Sequence, residues 1–159
     1  MKILLSLILS LTLFTSCQFE QTTKKTQRST IFVGIDVSGS FTKTKKFKDG
    51  MKFLGQYIEA HLKGSGGLSK PVDLYVGGIG GNVKEDPQDF FPIHDFKGLS
   101  AKEIEKKLNQ EFSKQKDNLT DFNTFFSRIK SLVKQKNLVI APIDICLLYT
   151  SDAADDSLR

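Results

Sequence analysis

The chain has 159 residues, of which 39% are hydrophobic and 26% charged, and its formal net charge is +5 at pH 7. This length allows one small hydrophobic core but not two domains. The positive charge is compatible with anionic partners, but the lysines are spread along the chain, which indicates a solvated surface rather than a nucleic-acid interface.

Residues 1–16 predict a secretory signal peptide. A basic start, Met1-Lys2, precedes an apolar run from Ile3 to Phe14, which is too short for a stable membrane span. Cys17 follows two small residues, so that Phe14-Thr15-Ser16-Cys17 resembles the lipobox of bacterial lipoproteins. The resemblance implies that Cys17 is the acylated first residue of the mature protein. Ordinary secretory cleavage is the alternative.

Residues 17–29 are rich in Thr, Gln, Lys and Ser, and they predict a flexible linker between a membrane and a domain. With a lipid anchor at Cys17, we expect the protein in the bacterial cell envelope. The outer membrane, the cell surface and the periplasm are all compatible with this expectation.

The first half of residues 30–145 predicts a strand, a helix and a second strand. The apolar segment Ile31–Ile35 is typical of a strand buried on both faces. Apolar residues recur at helical spacing from Phe47 to Leu62, and Gly64–Gly67 ends that helix. Alternation at Val72–Val76 predicts the second strand, and we interpret the glycine-rich run after it as a strand end and turn.

The second half continues the alternation of strands and helices. We predict an edge strand at Phe90, Phe91 and Ile93, followed by a helix that begins with a capping box from Ser100 to Glu103. A second helix has an apolar stripe from Phe122 to Val133. The last predicted element is a buried strand at Leu138–Ile140 and Ile143–Ile145, which Pro142 interrupts. This order predicts part of a three-layer, doubly wound α/β sheet of the Rossmann-like class. Because only part of such a sheet is predicted, we expect one of its edges to be apolar and exposed.

The end of the chain has an unusual origin. Cys146 to Asp155, CLLYTSDAAD, matches the translation of a transposase sequencing adapter. We therefore expect residues 146–159 to be an assembly artefact and the natural protein to be longer. On this interpretation the aspartates of the tail say nothing about a metal site.

Short oxygen-bearing side chains concentrate directly after the first predicted strand. Ile31–Ser40 reads IFVGIDVSGS, which places Asp36, Ser38 and Ser40 at the carboxyl end of the strand. Ligands of open α/β sheets bind beyond these strand ends, and hard cations such as Mg²⁺ prefer oxygen ligands. The pattern predicts a Mg²⁺-type site, with Mn²⁺ and Ca²⁺ as alternatives.

The Asp-x-Ser-x-Ser spacing of these residues resembles the first motif of the von Willebrand factor A (VWA) family. Thr120-Asp121 resembles the second motif, although Leu119 replaces the glycine that is common before the threonine. The resemblance implies a metal-ion-dependent adhesion site at Asp36, Ser38, Ser40 and Thr120. It also implies a non-catalytic function, in which a carboxylate of a protein partner completes the coordination of the cation. The third motif falls in the tail, where we take the similarity of Ser151-Asp152 to be coincidence.

Two alternatives remain open. Gly34 to Lys43 also resembles the phosphate-binding opening of sugar kinases and hydantoinase-like ATPases, which requires a hairpin and a second strand after the loop. The second alternative is a structural envelope lipoprotein with no metal site, in which Ser38 and Ser40 cap a helix and Asp36 ends the strand.

Overall fold

The part of the chain that the structure describes folds around an open sheet of four strands that is covered by helices. The computed structural model describes residues 28–80, 90–114, 120–138 and 141–149. The elements are β1 (Thr30–Asp36), α1 (Gly39–Thr42), α2 (Lys45–Lys63), β2 (Asp73–Ile79), β3 (Phe91–Pro92), a 3₁₀ helix (Ile93–Phe96), α3 (Ala101–Phe112), α4 (Phe122–Gln135) and β4 (Ile143–Leu148).

The sheet is mixed, with the order β3-β2-β1-β4. Strand β1 pairs in parallel with both β2 and β4, whereas β3 is antiparallel to β2. The three parallel strands therefore end at the same edge of the sheet. The α/β prediction is confirmed, and the architecture is compatible with a Rossmann-like fold.

Apolar cores lie on both faces of β1, because successive side chains of a strand point to opposite sides. Ile31, Val33 and Ile35 belong to a cluster that includes the buried faces of α2 and α3. Phe32 belongs to a second cluster, which it shares with β2 and α4. All seven residues of β1 are buried as a result.

Two ends of the long helices lie where the sequence predicts them, namely the end of α2 at Gly64 and the start of α3 at Ser100. In α2, the Thr44 side chain caps the first turn, and Gly64 ends the helix with a left-handed backbone at φ 65°. Helix α3 begins with the predicted capping box, in which Ser100 and Glu103 each bond to the other's backbone N–H. The two N-terminal caps, Thr44 and Ser100, satisfy N–H groups that have no partner inside the helix.

Strand β2 is longer than predicted. It continues to Ile79, so that Gly77 and Gly78 lie in the strand and not in a turn. The prediction of a strand end there was wrong because Gly77 and Gly78 pair with Gly34 and Ile35 of β1, and Gly77 also makes room for Phe90. A Cβ at Gly77 would lie 2.7 Å from the Phe90 ring, so only glycine allows this approach.

Two features lie at the ends of the described domain. Strand β4 begins at Ile143, after Pro142, and runs through Leu148, so its last three residues belong to the segment that we interpret as adapter-derived. At the other end, Arg28 of the predicted linker donates hydrogen bonds to the carbonyls of Lys70 and Pro71. A local sequence pattern does not reveal such tertiary hydrogen bonds.

Several predictions fall on residues outside the described ranges. These are the signal peptide 1–16, Cys17, residues 18–27 of the linker, residues 139–140 of the third strand, and Ser151-Asp152 in the tail. Within the described ranges, no helix combines the length and the apolar character needed to cross a membrane.

Candidate metal site

The candidate site lies at the carboxyl end of β1, where the chain turns from the strand into α1. Asp36 is the last residue of β1, and Ser38 is the N-cap of α1. The backbone N–H of Val37 still donates to the carbonyl of Ile79 at the end of β2, at 3.4 Å. The loop is thus anchored to two adjacent strands, at the edge where ligands of open α/β sheets bind.

Asp36 is the centre of this arrangement. Its side chain is fully buried, and its Oδ1 accepts hydrogen bonds from the backbone N–H of Ser38 at 2.8 Å and from Thr120 Oγ1 at 3.0 Å. Its Oδ2 is also buried, and no described residue hydrogen-bonds to it. Buried carboxylate oxygens rarely lack a partner, because leaving them without one is energetically unfavourable.

Ser38 and Ser40 form the second part of the site. Their hydroxyl groups are 3.0 Å apart and share a hydrogen bond. Ser38 is 4% exposed and also caps α1, since its Oγ accepts from the backbone N–H of Phe41 at 3.4 Å. Ser40 is exposed, so the hydroxyl pair connects the buried Asp36 region with the surface.

Thr120 comes from a distant part of the chain, 84 residues after Asp36. Its position is fixed by Asp121, the N-cap of α4, whose side chain accepts from the backbone N–H groups of Asn123 and Thr124. The Thr124 hydroxyl also bonds to it at 2.6 Å, and these bonds lower the pKa of Asp121. Asp121 therefore caps a helix, and Thr120 alone of this pair contacts the Asp36 carboxylate.

The structure thus brings together the four residues that the sequence singled out. Thr120 bonds to Asp36, Asp36 bonds to the backbone of Ser38, and Ser38 bonds to Ser40. One carboxylate and three hydroxyl groups form an oxygen-only donor set of the kind that hard cations prefer. In the described part of the chain, no group of three or more His, Cys, Asp or Glu side chains is arranged to hold a metal. Hydroxyl oxygens and water would therefore have to supply most of the coordination at Asp36.

One buried residue near this edge was missed by the sequence analysis. Arg128 of α4 is 1% exposed, donates to the carbonyl of Gly78 at 3.2 Å, and lies over the Phe90 ring at 4.9 Å. Gly78 precedes Ile79, the register partner of Asp36. The available signal was an arginine within the apolar stripe of α4, where a charged residue is unexpected.

A histidine and an aspartate that could suggest a catalytic pair lie outside the site. His94 and Asp95 are neighbours on the 3₁₀ helix with 3.6 Å between Nε2 and Oδ1, and the His94 side chain is 63% exposed. Such a pair is typical of a surface turn.

The chain after Phe41 is helical, whereas the ATPase alternative requires a hairpin followed by a strand.

Comparison of the chain with family models, curated proteins and solved structures found no match. The resemblance to the VWA family therefore rests on the motif residues and on the order of the elements.

Proposed function

We propose that this chain contains a VWA-like domain that binds a protein partner through a metal-ion-dependent adhesion site, without catalysis. The observation that supports this proposal most directly is the environment of Asp36. Its Oδ1 is held by Ser38 and Thr120, which belong to two separate motifs, while its buried Oδ2 has no hydrogen-bond partner among the described residues. A cation beside this oxygen would compensate a charge that burial otherwise penalises.

The capping alternative accounts for less of the site. It explains why Ser38 precedes α1, because serine is a favoured N-cap. It does not explain why Thr120, which precedes the N-cap of α4, donates a hydrogen bond to a buried carboxylate. Nor does it explain the contact between the hydroxyl groups of Ser38 and Ser40, since a cap needs only one of them.

The proposed roles follow from the chemistry of the side chains. Asp36 supplies the negative charge, and Ser38, Ser40 and Thr120 supply hydroxyl oxygens. A bound Mg²⁺ would offer a coordination position to an anionic oxygen of the partner. The fold keeps the carboxylate ligand in place, because Asp36 ends a strand that is buried along its whole length.

The proposal extends to the location of the protein. The signal-like segment and the lipobox resemblance at Cys17 support export and lipid anchoring in the bacterial cell envelope. An anchored binding domain would present the site at the membrane surface, joined by the polar linker. The partner would then be a protein of the same compartment.

Metal-dependent stabilisation tests the proposed site. Thermal unfolding of the full chain is measured with excess Mg²⁺ and with EDTA. A ligand that binds only the folded state stabilises it by about 2.7 kcal/mol at 100 times Kd. We expect stabilisation of the wild type, none in Asp36→Ala, and a reduced effect in Ser40→Ala, which removes an exposed hydroxyl group.

Asp49→Ala is the matched control, because Asp49 is an exposed aspartate on α2 outside the site. It should keep the full response to Mg²⁺. Equal responses in Asp36→Ala and Asp49→Ala would overturn the proposal, because the metal would then act elsewhere. Each comparison is made within one variant, so changes in baseline stability do not affect it.

A further inference from the structure

A cluster of positive charge follows the candidate metal site in the sequence. Lys43, Lys45, Lys46 and Lys48 follow Ser40 within eight residues, and all four are exposed. We refer to these four residues as the lysine cluster. Although lysines are spread over the chain as a whole, this is a local concentration. Within the described ranges, none of the four forms an ion pair. The salt bridges there join Lys63 to Glu59 and His94 to Asp95.

Local geometry places Lys43 on the side of Ser40, and the other three lysines lie at the start of the next helix. Ser40 lies in α1 and Lys43 is the C-cap of that helix with a helical backbone, so the two residues are three apart on one helical turn. Residues at this spacing share a face of a helix. The ring contact of Phe41 with Phe47, at 5.7 Å between centroids, holds the start of α2 against the same loop.

The first turn of α2 is an unfavourable place for lysine. Lys45 and Lys46 occupy the first turn, which contains no acidic residue. The N-terminal end of a helix carries partial positive charge, so lysine is disfavoured there and acids are favoured. Helix α3 has the favourable arrangement, with Glu103 in its first turn. A disfavoured charge that has no partner within the described structure is more readily explained by a partner outside it.

The surroundings of the cluster favour a protein over a membrane surface. The large apolar residues of the first turns of α2, Phe47 and Met51, are 2% and 0% exposed. No apolar side chain is therefore exposed between Lys45 and Lys52, and Phe53, which is 49% exposed, is the first one along α2. Membrane-surface helices require a broad apolar face in addition to basic residues, and one phenylalanine beyond the lysine cluster does not provide it. Lysines alone bind carboxylates as mobile point charges, with little demand on geometry.

We infer that the partner recognised at Asp36 is an acidic protein segment with several carboxylates, one directed to the metal site and others paired with the lysine cluster. This inference rests on the proposed function and specifies its partner class. The cluster would attract the segment over a distance comparable to the Debye length, which raises the association rate and makes it depend on salt. The metal site would then fix its position.

The test uses an oligoglutamate peptide as the probe and an oligoglutamine peptide of equal length as its control. Binding to the full chain is measured with Mg²⁺ and with EDTA, at low and high salt. The variants are Lys45→Glu/Lys46→Glu/Lys48→Glu and, with the same change in charge, Lys102→Glu/Lys106→Glu/Lys130→Glu on exposed positions of α3 and α4. A second variant, Lys45→Gln/Lys46→Gln/Lys48→Gln, removes the charge without reversing it.

We expect Mg²⁺-dependent binding of oligoglutamate and none of oligoglutamine. Reversing the cluster should lower the affinity about 10-fold or more, mainly through the association rate, while the distant variant changes it by less than about 2-fold. The glutamine variant should give an intermediate loss and a weaker dependence on salt. Circular dichroism checks that each variant folds.

The outcomes separate this inference from the proposed function. Mg²⁺ stabilisation that persists while the cluster and distant variants bind oligoglutamate equally would overturn the inference alone. If Mg²⁺ does not stabilise the wild type, both the inference and the proposed function are overturned. If the cluster variant instead loses binding to phosphatidylglycerol vesicles and keeps peptide binding, the surface recognises membranes and the inference is wrong.

Discussion

Strands β1 and β4 are neighbours with similar apolar sequences, yet they have very different environments. They pair in parallel over six residues, from Thr30 with Ile143 to Ile35 with Leu148. Every residue of β1 is buried, whereas the first three residues of β4 are exposed and the last three are half-buried. The sequences of the two strands, TIFVGID for β1 and IDICLL for β4, do not predict this difference in burial.

The difference shows that burial of a strand is set by its neighbours. Strand β1 has a strand on each side and apolar clusters on both faces. Strand β4 is the last strand of the sheet in the described part of the chain, and Ile143 and Ile145 are 39% and 43% exposed. Asp36, the centre of the candidate site, lies at the end of β1, which is enclosed on both sides and on both faces.

The largest expected effect comes from truncating one side chain on each strand. Ile35 of β1 is 0% exposed, and Ile145 of β4 is 43% exposed. Ile35→Ala should lower the free energy of unfolding by about 2–5 kcal/mol, because it leaves a cavity in a closed core. Ile145→Ala should cost about 1 kcal/mol or less, since water already reaches the side chain. Urea unfolding of both variants measures the difference.

Equal costs at the two positions would contradict this comparison. A large effect of Ile145→Ala would mean that the edge strand is covered in solution, for example by association of two chains. Measuring unfolding at several protein concentrations distinguishes these cases, because association makes stability depend on concentration.

A smaller effect is expected from adding a methyl group on the two sides of the sheet. A Cβ at Gly34 of β1 would lie 2.7 Å from the Phe125 ring, whereas at Gly50 of α2 the nearest atom would be Leu148 of β4 at 3.9 Å. Gly34→Ala should destabilise the fold by about 1–3 kcal/mol through overpacking. Gly50→Ala should stabilise it by about 0.5–1 kcal/mol, because alanine is the better helix former.

Thermal unfolding monitored by circular dichroism measures both changes. Stabilisation by Gly34→Ala would show that the core beside β1 is looser than the contacts indicate. A loss of stability in Gly50→Ala would place β4 closer to α2 than described. Either result would weaken the contrast between the two strands.

The smallest expected effect concerns the cap that holds Thr120 at the end of β1. Asp121→Ala should cost about 0.5–2 kcal/mol at neutral pH, because the first turn of α4 loses its acceptor. The hydrogen bond from the Thr124 hydroxyl is the main cause that lowers the pKa of Asp121 in the folded state. The stabilisation by the ionised carboxylate is therefore complete above the unfolded pKa of about 3.9. It is lost as the pH falls through the lower folded pKa.

Stability curves from pH 7 down to about pH 2 check this sign, since the linkage acts across the carboxyl range. The difference between wild type and Asp121→Ala should shrink as the medium becomes acidic. Asp121→Asn is the control, because asparagine caps helices but does not ionise. A difference that grows in acid would refute the assignment of the cap to the ionised carboxylate.

Much of the fold could be predicted from local patterns. The apolar run at Ile31–Ile35, the helical spacing after Phe47 and the capping box at Ser100 each describe interactions within a few residues. The length of β2 could not be predicted, because Gly77 and Gly78 are held in the strand by their pairing with β1. Likewise, the backbone carbonyls that hold Arg28 lie more than 40 residues along the chain.

The candidate site was partly predictable for the same reason. Asp36, Ser38 and Ser40 belong to one loop, so their proximity follows from their spacing. The contact of Thr120 with Asp36 spans 84 residues and depended on a resemblance. The burial of Arg128 had only the weak signal of its place in an apolar stripe.

By itself, the sequence determined the strand that leads into the Asp36 loop, the amphipathic helices and their caps, because these depend on periodicity and on short hydrogen bonds. Only the tertiary structure decided that β1 is enclosed while β4 is exposed, and that Thr120 reaches the Asp36 carboxylate. The physical reason is that burial and long-range hydrogen bonds depend on which surfaces meet when the chain closes on itself.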